Sequence, residues 1–109
     1  MPQNIAEFRI IGRIGKIRPL EKVTYVSVAS NYNRRDGDDW KTDTHWNSVV
    51  CFPRIAAQVE NAEEGDLVHI TGRARESSHS GDAGIVYKTE LIADSFSILT
   101  RKMFDQQDT

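Results

Sequence analysis

A change of hydrophobic periodicity occurs within the stretch Trp46-Asn47-Ser48-Val49-Val50-Cys51-Phe52-Pro53-Arg54-Ile55-Ala56-Ala57-Gln58-Val59. Residues 42–52 have the β-branched and aromatic content of a strand, the third in the chain. Proline at position 53 suits the first turn of a helix. Apolar residues then follow helical spacing until Gly65. The sequence therefore predicts one short helix directly after a strand.

Strand-like segments flank this stretch on both sides. Two precede it, at residues 5–17 and 23–32, and two follow it, at residues 66–75 and 85–99. An Asp-Gly pair at Asp36 predicts a turn, and the polar residues 76–84 predict a flexible loop between the last two strands. Gly12 and Gly15 suit a sharp bend in the first strand.

This order of elements, three strands, one helix and two strands, is that of the OB-fold. The OB-fold is an all-β, five-stranded, partly open Greek-key barrel that binds oligonucleotides or oligosaccharides. A β-sandwich would also accommodate many short strands. The helix between strands three and four and the glycine-bent first strand favour the barrel.

Length and composition limit the class of protein. The 109 residues, 39% hydrophobic and 28% charged, allow one domain, which we assign to residues 1–100, with residues 101–109 as a short flexible end. The longest apolar run, Val49 to Phe52, is too short for a membrane span or a signal peptide. The single Cys51 cannot form an internal disulfide and indicates a reducing compartment. We expect a cytoplasmic protein without a membrane partner.

The charge pattern is uneven. The net charge is −2 and the pI about 5.9, which is not typical of a duplex DNA binder. Residues 1–35 carry a net charge of +5, residues 36–66 carry −6 and the remainder carries −1. A polarised surface is one interpretation, and interspersed solvated charge is the favoured one.

The orientation of the third strand is open on its own pattern. Trp46, Val50 and Phe52 share one face, and Val49 and Cys51 share the other. If Val49 and Cys51 face the core, the two aromatic rings lie outside and need a cover, either stacked bases or another subunit. The opposite orientation, with the rings in the core, is equally compatible with the strand.

Catalytic and metal-binding patterns are not found. The histidines and Cys51 have no zinc-ligand spacing, and no nucleophile elbow, phosphate loop or dinucleotide fingerprint occurs. We therefore expect no enzyme activity, no metal and no cofactor. Aromatic residues next to cations instead favour binding of a nucleic-acid single strand.

Four segments resemble the bacterial single-stranded DNA-binding protein family. They are Ile11-Gly12-Arg13-Ile14-Gly15, Thr44-His45-Trp46-Asn47-Ser48-Val49-Val50-Cys51-Phe52, residues 64–75, and Tyr87-Lys88-Thr89-Glu90. They occur in order within residues 4–99. The resemblance implies an OB-fold homo-oligomer, commonly a tetramer and sometimes a dimer. Such a protein wraps single-stranded DNA without sequence preference in replication, repair or recombination.

The resemblance also implies roles for individual residues. Trp46 and Phe52 fall at base-stacking positions, which favours Val49 and Cys51 as the inward face. Two further family aromatics are replaced. Near these two positions, Tyr32, Trp40 and His79 are candidates for base stacking. His69 is a candidate for a subunit contact. The candidate phosphate contacts are Arg9, Arg13, Arg34, Arg35, Lys41, Arg73, Arg75 and Lys88.

The C-terminus departs from the family pattern. The chain ends at Asp105-Gln106-Gln107-Asp108-Thr109, without the Gly/Pro/Gln-rich linker and acidic tip that recruit other genome-maintenance proteins. Either the sequence is a piece of a longer protein, or it is a short variant without that recruitment. The missing aromatics and the local aspartates also admit a relative with weakened DNA binding. A primosome-type adaptor, with Trp46 and Phe52 in a protein interface, is the alternative function.

Overall fold

The computed structural model describes residues 4–102 and contains a closed five-stranded barrel. The elements are β1 (Glu7–Pro19), β2 (Thr24–Asp36), β3 (Asp39–Cys51), α1 (Pro53–Val59), β4 (Leu67–Gly81) and β5 (Gly84–Thr100). The strands are arranged in the order β1-β2-β3-β5-β4, and one helix lies between β3 and β4 within residues 4–102, so the predicted OB-fold is confirmed.

The first strand closes the barrel because it belongs to two ladders. Its first half, from Glu7 to Arg13, pairs with β4, and its second half, from Arg13 to Pro19, pairs with β2. A bulge interrupts the β1–β2 register between Ile14 and Lys16. A Cβ at Gly12 would overlap the backbone carbonyl of Ala29. Glycine is therefore required at position 12, where the backbone of β2 approaches closely.

The core is formed by alternate residues of the strands and by one face of the helix. Val26, Val28 and Val49 are fully buried inside the barrel, and Ile55 and Val59 of α1 pack against them from one end. Cys51 is fully buried in the same cluster, and burial raises the pKa of its thiol to about 11. Val49 and Cys51 are therefore the inward face of β3, as the family resemblance implies.

Two hairpins extend further than the sequence pattern predicts. Residues 76–84 are not a flexible loop. The β4–β5 ladder continues to the pair Gly81 and Gly84. Likewise β2 does not end at residue 32, because its ladder with β3 continues to the pair Asp36 and Asp39. Both extensions are exposed to solvent on both faces, so their sequences do not alternate between apolar and polar residues. We call residues 30–45 the β2–β3 ribbon and residues 74–91 the β4–β5 ribbon.

A buried carboxylate joins the loop before β4 to the end of β5. Asp66 is fully buried and accepts hydrogen bonds from the backbone N–H of Glu63 (2.8 Å) and of Lys102 (2.6 Å), and the Arg101 guanidinium lies 3.4 Å from it. Arg101 and Lys102 begin the segment predicted to be a flexible end. The remainder of that segment, residues 103–109, lies outside the described residues.

No helix within residues 4–102 has the length and apolar character needed to cross a membrane.

Candidate nucleic-acid interface

The outer face of β3 carries two exposed aromatic rings. The Trp46 side chain is 60% exposed and that of Phe52 is 40% exposed, although both lie on a strand of the closed barrel or at its end. Phe52 directly precedes α1, whose first residue is Pro53. The core packs without either ring, so both remain available to a ligand or a partner.

A groove runs beside Trp46 between the two ribbons. It exists because β3 and β5 pair over only two positions, Val49 with Leu91 and Val50 with Ile92, before they diverge. Lys88 and Glu90 of β5 line one wall, and Trp46 and Ser48 of β3 line the other. Tyr25, opposite Val50 in the ladder, completes the wall formed by the sheet.

The groove combines the two features that a single strand of nucleic acid requires. Trp46 offers an aromatic surface on which a base can stack, and Lys88 offers a positive charge. Lys88 forms no ion pair with any residue in the described part of the chain. Tyr25 was not predicted as a site residue, although its place on the outer face of a β-branched strand was visible in the alternation.

The predicted stacking residues lie on opposite faces of the β2–β3 ribbon. Trp40 pairs with Arg35, whose guanidinium is 5.4 Å from the Trp40 ring centroid, and both share the face of Trp46. Tyr32 points to the other face, where its ring lies 4.9 Å from that of His45. The structure therefore brings Trp40 and Trp46 onto one surface and separates Tyr32 from them.

Tyr32 instead lines a second groove at the barrel. Phe8 and Arg9 of β1 and Asn47 of β3 also line it. Arg9 is exposed and forms no ion pair with the residues the structure describes. An aromatic ring and a free cation, Tyr32 and Arg9, thus line a groove other than that of Trp46.

The β4–β5 ribbon contains an exposed aromatic residue, Tyr87, that the sequence analysis did not name as a site candidate. His79 shares one face with Arg75 and Lys88, whereas Tyr87 lies on the other face. Tyr87 is exposed, as are its neighbours Ile85 and Val86. This apolar run resembled the interior of the last strand. The adjacent Lys88 was the signal that could have identified Tyr87 as a surface residue.

Half of the eight candidate phosphate contacts are held by carboxylates. The ion pairs are Arg34–Asp43 (2.7 Å), Lys41–Asp36 (3.0 Å), Arg73–Asp94 (2.9 Å) and Arg75–Glu90 (3.1 Å). Arg13 and Arg35 donate to the backbone carbonyls of Gly65 and Gly37. Two of the four carboxylates, Asp36 and Asp43, belong to the acidic middle of the sequence, and both pair with basic side chains, as the interpretation of interspersed charge expects.

The predicted subunit-contact residue lies elsewhere on the barrel. His69 of β4 is half-buried and pairs with Ile11 of β1 on one side and with Ser97 of β5 on the other. Ile11 is an exposed apolar side chain. No group of three or more His, Cys, Asp or Glu side chains is placed to hold a metal ion among residues 4–102.

Fold and site together define an OB-fold protein with an aromatic and cationic groove on the outside of its sheet. The model of the single-strand binding protein family matches residues 5–99. The chain belongs to this family, and the resemblance seen in the sequence is confirmed.

Known proteins resemble this chain in sequence or in fold. A single-stranded DNA-binding protein 1 from Streptococcus pyogenes serotype M18 (strain MGAS8232) is 30% identical over 79 residues, which are 71% of this chain. The match spans 58% of that relative's length. A Plasmodium falciparum single-strand binding protein solved with single-stranded DNA has a TM-score of 0.70 at 22% identity, covering 92% of this chain and 97% of that one. A mitochondrial single-stranded DNA binding protein from S. cerevisiae has a TM-score of 0.68 at 23% identity, covering 92% and 100%.

Proposed function

We propose that this protein binds single-stranded DNA independently of sequence and protects it during replication, recombination or repair. Bases stack on Trp46 and Phe52, and phosphates contact the neighbouring cations. The observation that carries the proposal is the exposed Trp46 ring in a groove shared with Lys88. The function requires no covalent step, metal or cofactor, and residues 1–100 form the binding domain.

We propose that the other candidates contact different parts of the path. Trp40 with Arg35 extends the Trp46 surface toward the tip of the β2–β3 ribbon. His79 and Lys88 extend it along the β4–β5 ribbon. Tyr32 with Arg9 contacts DNA only where the strand passes around the β2–β3 ribbon to its other face. The core of the site is thus smaller than the full set of candidates.

The protein is proposed to act as a cytoplasmic homo-oligomer, a tetramer in preference to a dimer. The exposed Ile11 beside the half-buried His69 supports a subunit contact on that side of the barrel. This surface is formed by β1 and β4, and neither Ile11 nor His69 lines the groove of Trp46. An interface there leaves the groove of Trp46 free but adjoins the groove of Tyr32 and Arg9, which Ile11 also lines.

The adaptor alternative is not favoured. The curated relative and the structural neighbours described above are all single-stranded DNA-binding proteins by name.

A fluorescence titration tests the proposed function directly. The chain has two tryptophans, Trp40 and Trp46, and both lie on the proposed surface. Titration with oligo(dT) is expected to quench their emission strongly, whereas a duplex of the same length quenches it weakly. Trp40→Phe and Trp46→Phe variants separate the two reporters. A folded protein whose emission is unchanged by oligo(dT) would contradict the proposal.

Removing a paired carboxylate should increase both affinity and salt dependence. Asp43→Asn frees Arg34, and Glu90→Gln frees Arg75, for phosphate. Each freed cation that engages a phosphate should steepen the log–log salt slope by about 0.7. The measurement is oligo(dT) affinity at several salt concentrations.

The matched control for this prediction is Asp38→Asn. Asp38 is exposed at the turn of the same ribbon and forms no ion pair in the described part of the chain. Its substitution changes the net charge equally but frees no cation, so the slope should stay constant. Equal slopes for all three variants would show that the carboxylates do not compete with phosphate.

A further inference from the structure

The indole ring of Trp46 lies directly against the backbone of Gly15. A Cβ placed on Gly15 would be 2.7 Å from Cη2 and 3.3 Å from Cε3 of Trp46, and would overlap Cζ3. Real Cβ atoms do not approach other atoms so closely. The six-membered part of the indole thus occupies the space that any side chain at position 15 would take.

Backbone conformation does not explain why glycine occupies this position. The glycines with positive φ are Gly37, Gly65 and Gly84 among residues 4–102, and Gly15 is not one of them. Gly15 lies within the bulge that interrupts the β1–β2 register between Ile14 and Lys16. An alanine could adopt the backbone conformation there, and only the ring would obstruct it.

β2 lies between Gly15 and Trp46, and its residue opposite Trp46 also has a small side chain. Ala29 of β2 is directly opposite Trp46 in the ladder, on the same face, and pairs with Arg13 of β1 on its other side. Ala29 and Gly15 therefore lie at positions where larger side chains would move the Trp46 ring away from the sheet. Trp46 remains 60% exposed, so the opposite side of the ring is open to solvent.

We infer that Gly15 is a positioning residue that seats the Trp46 ring against the barrel and so presents its free face to a stacking base. The inference rests on the proposed function. A ring held against the sheet on one side loses less rotational freedom when a base stacks on the other. A side chain at position 15 would displace the ring and remove this advantage without touching the ligand.

The experiment uses Gly15→Ala in a Trp40→Phe background, where Trp46 is the only tryptophan. In the DNA-free protein, the emission of Trp46 is expected to shift to longer wavelength and its quenching by acrylamide to increase. Oligo(dT) affinity is expected to fall about fivefold or more, a part of the stacking contribution of one base. Gly81→Ala, the same change far along the β4–β5 ribbon, is the control and should leave the emission and acrylamide quenching of Trp46 unchanged.

A double-mutant comparison separates positioning from a general structural role. In a Trp46→Ala background, Gly15→Ala should change affinity by less than about twofold, because no ring remains to be displaced. Trp46→Phe, which lacks the outer ring of the indole, should also tolerate alanine at position 15. An equal loss of affinity in all three backgrounds would overturn the inference.

The failure of the inference and that of the proposed function are distinguishable. Unchanged Trp46 emission and acrylamide quenching in Gly15→Ala would show that Gly15 does not position the Trp46 ring, whatever the DNA affinity. If Trp46→Ala instead binds oligo(dT) as tightly as the unsubstituted protein, stacking on Trp46 is wrong, and with it the role of Gly15 in binding.

Discussion

Replacing Trp46 by alanine is expected to weaken binding of single-stranded DNA by about 1–3 kcal/mol for each base that it stacks, or about five- to 150-fold. The loss is large because the ring is exposed, lies beside Lys88 and has no role in the core. The measurement is a competition titration with oligo(dT) at fixed salt. The variant should remain folded, because Trp46 is not part of the buried core cluster.

Two controls make this prediction specific to the Trp46 groove. Trp46→Phe keeps an aromatic face and should retain most of the affinity. Tyr32→Ala removes a ring from the opposite face of the β2–β3 ribbon and should cost less. Undiminished affinity in a folded Trp46→Ala protein would exclude this ring from the binding site.

Asp66→Asn is expected to destabilise the fold by about 2–4 kcal/mol. The backbone N–H groups of Glu63 and Lys102 donate to different oxygens of Asp66. The amide keeps one acceptor oxygen, so one of these two N–H groups loses its acceptor, because an NH2 group cannot accept. A buried donor then faces a buried donor. Urea unfolding followed by circular dichroism measures the change, and a loss below about 0.5 kcal/mol would contradict the argument.

The same carboxylate makes stability depend on pH. Burial by itself raises the pKa of Asp66, but the backbone N–H groups of Glu63 and Lys102 and the Arg101 guanidinium outweigh it, and the pKa lies below its ordinary value. The unfolded chain therefore takes up the proton first as the pH falls. The contribution of Asp66 is complete above its unfolded pKa of about 3.9 and is lost as the pH falls through the lower folded pKa.

The Asp66→Asn variant should lack this part of the acid dependence. Its stability difference from the unsubstituted protein is expected to narrow as the pH falls below about 4. Asp38→Asn, at an exposed turn position, provides the matched control and should follow the unsubstituted protein at every pH. If the difference in unfolding free energy stays constant as the pH falls to the folded pKa of Asp66, the role of the Asp66 charge is contradicted.

The barrel could be predicted from the sequence because its core residues alternate and its helix has clear start and stop signals. The orientation of β3 could not be predicted from its own pattern. Trp46, Val50 and Phe52 are as apolar as Val49 and Cys51, so both faces qualified as core. Only the family resemblance favoured the orientation that the burial of Val49 and Cys51 now shows.

The face occupied by Tyr32 depended on a register that the sequence analysis did not establish. The two-residue turn at Gly37 and Asp38 pairs Asp36 with Asp39, so each even-numbered residue of β2 pairs with an odd-numbered residue of β3. Tyr32 is thereby opposite Asp43 and cannot share a face with Trp46. The positive φ of Gly37 fits such a tight turn. Because the sequence analysis ended β2 at residue 32, it did not predict this register.

The two ribbons divide the protein into regions that open at different free energies. In the barrel every strand is held by neighbours on both sides and by the packed core, whereas beyond it each ribbon has a single ladder and water on both faces. The ribbon tips should therefore separate and re-form many times for each opening of the barrel. A ligand that binds between the ribbons would order mainly these tips, so the loss of conformational entropy on binding would fall on them. The barrel would keep the same structure with and without the ligand.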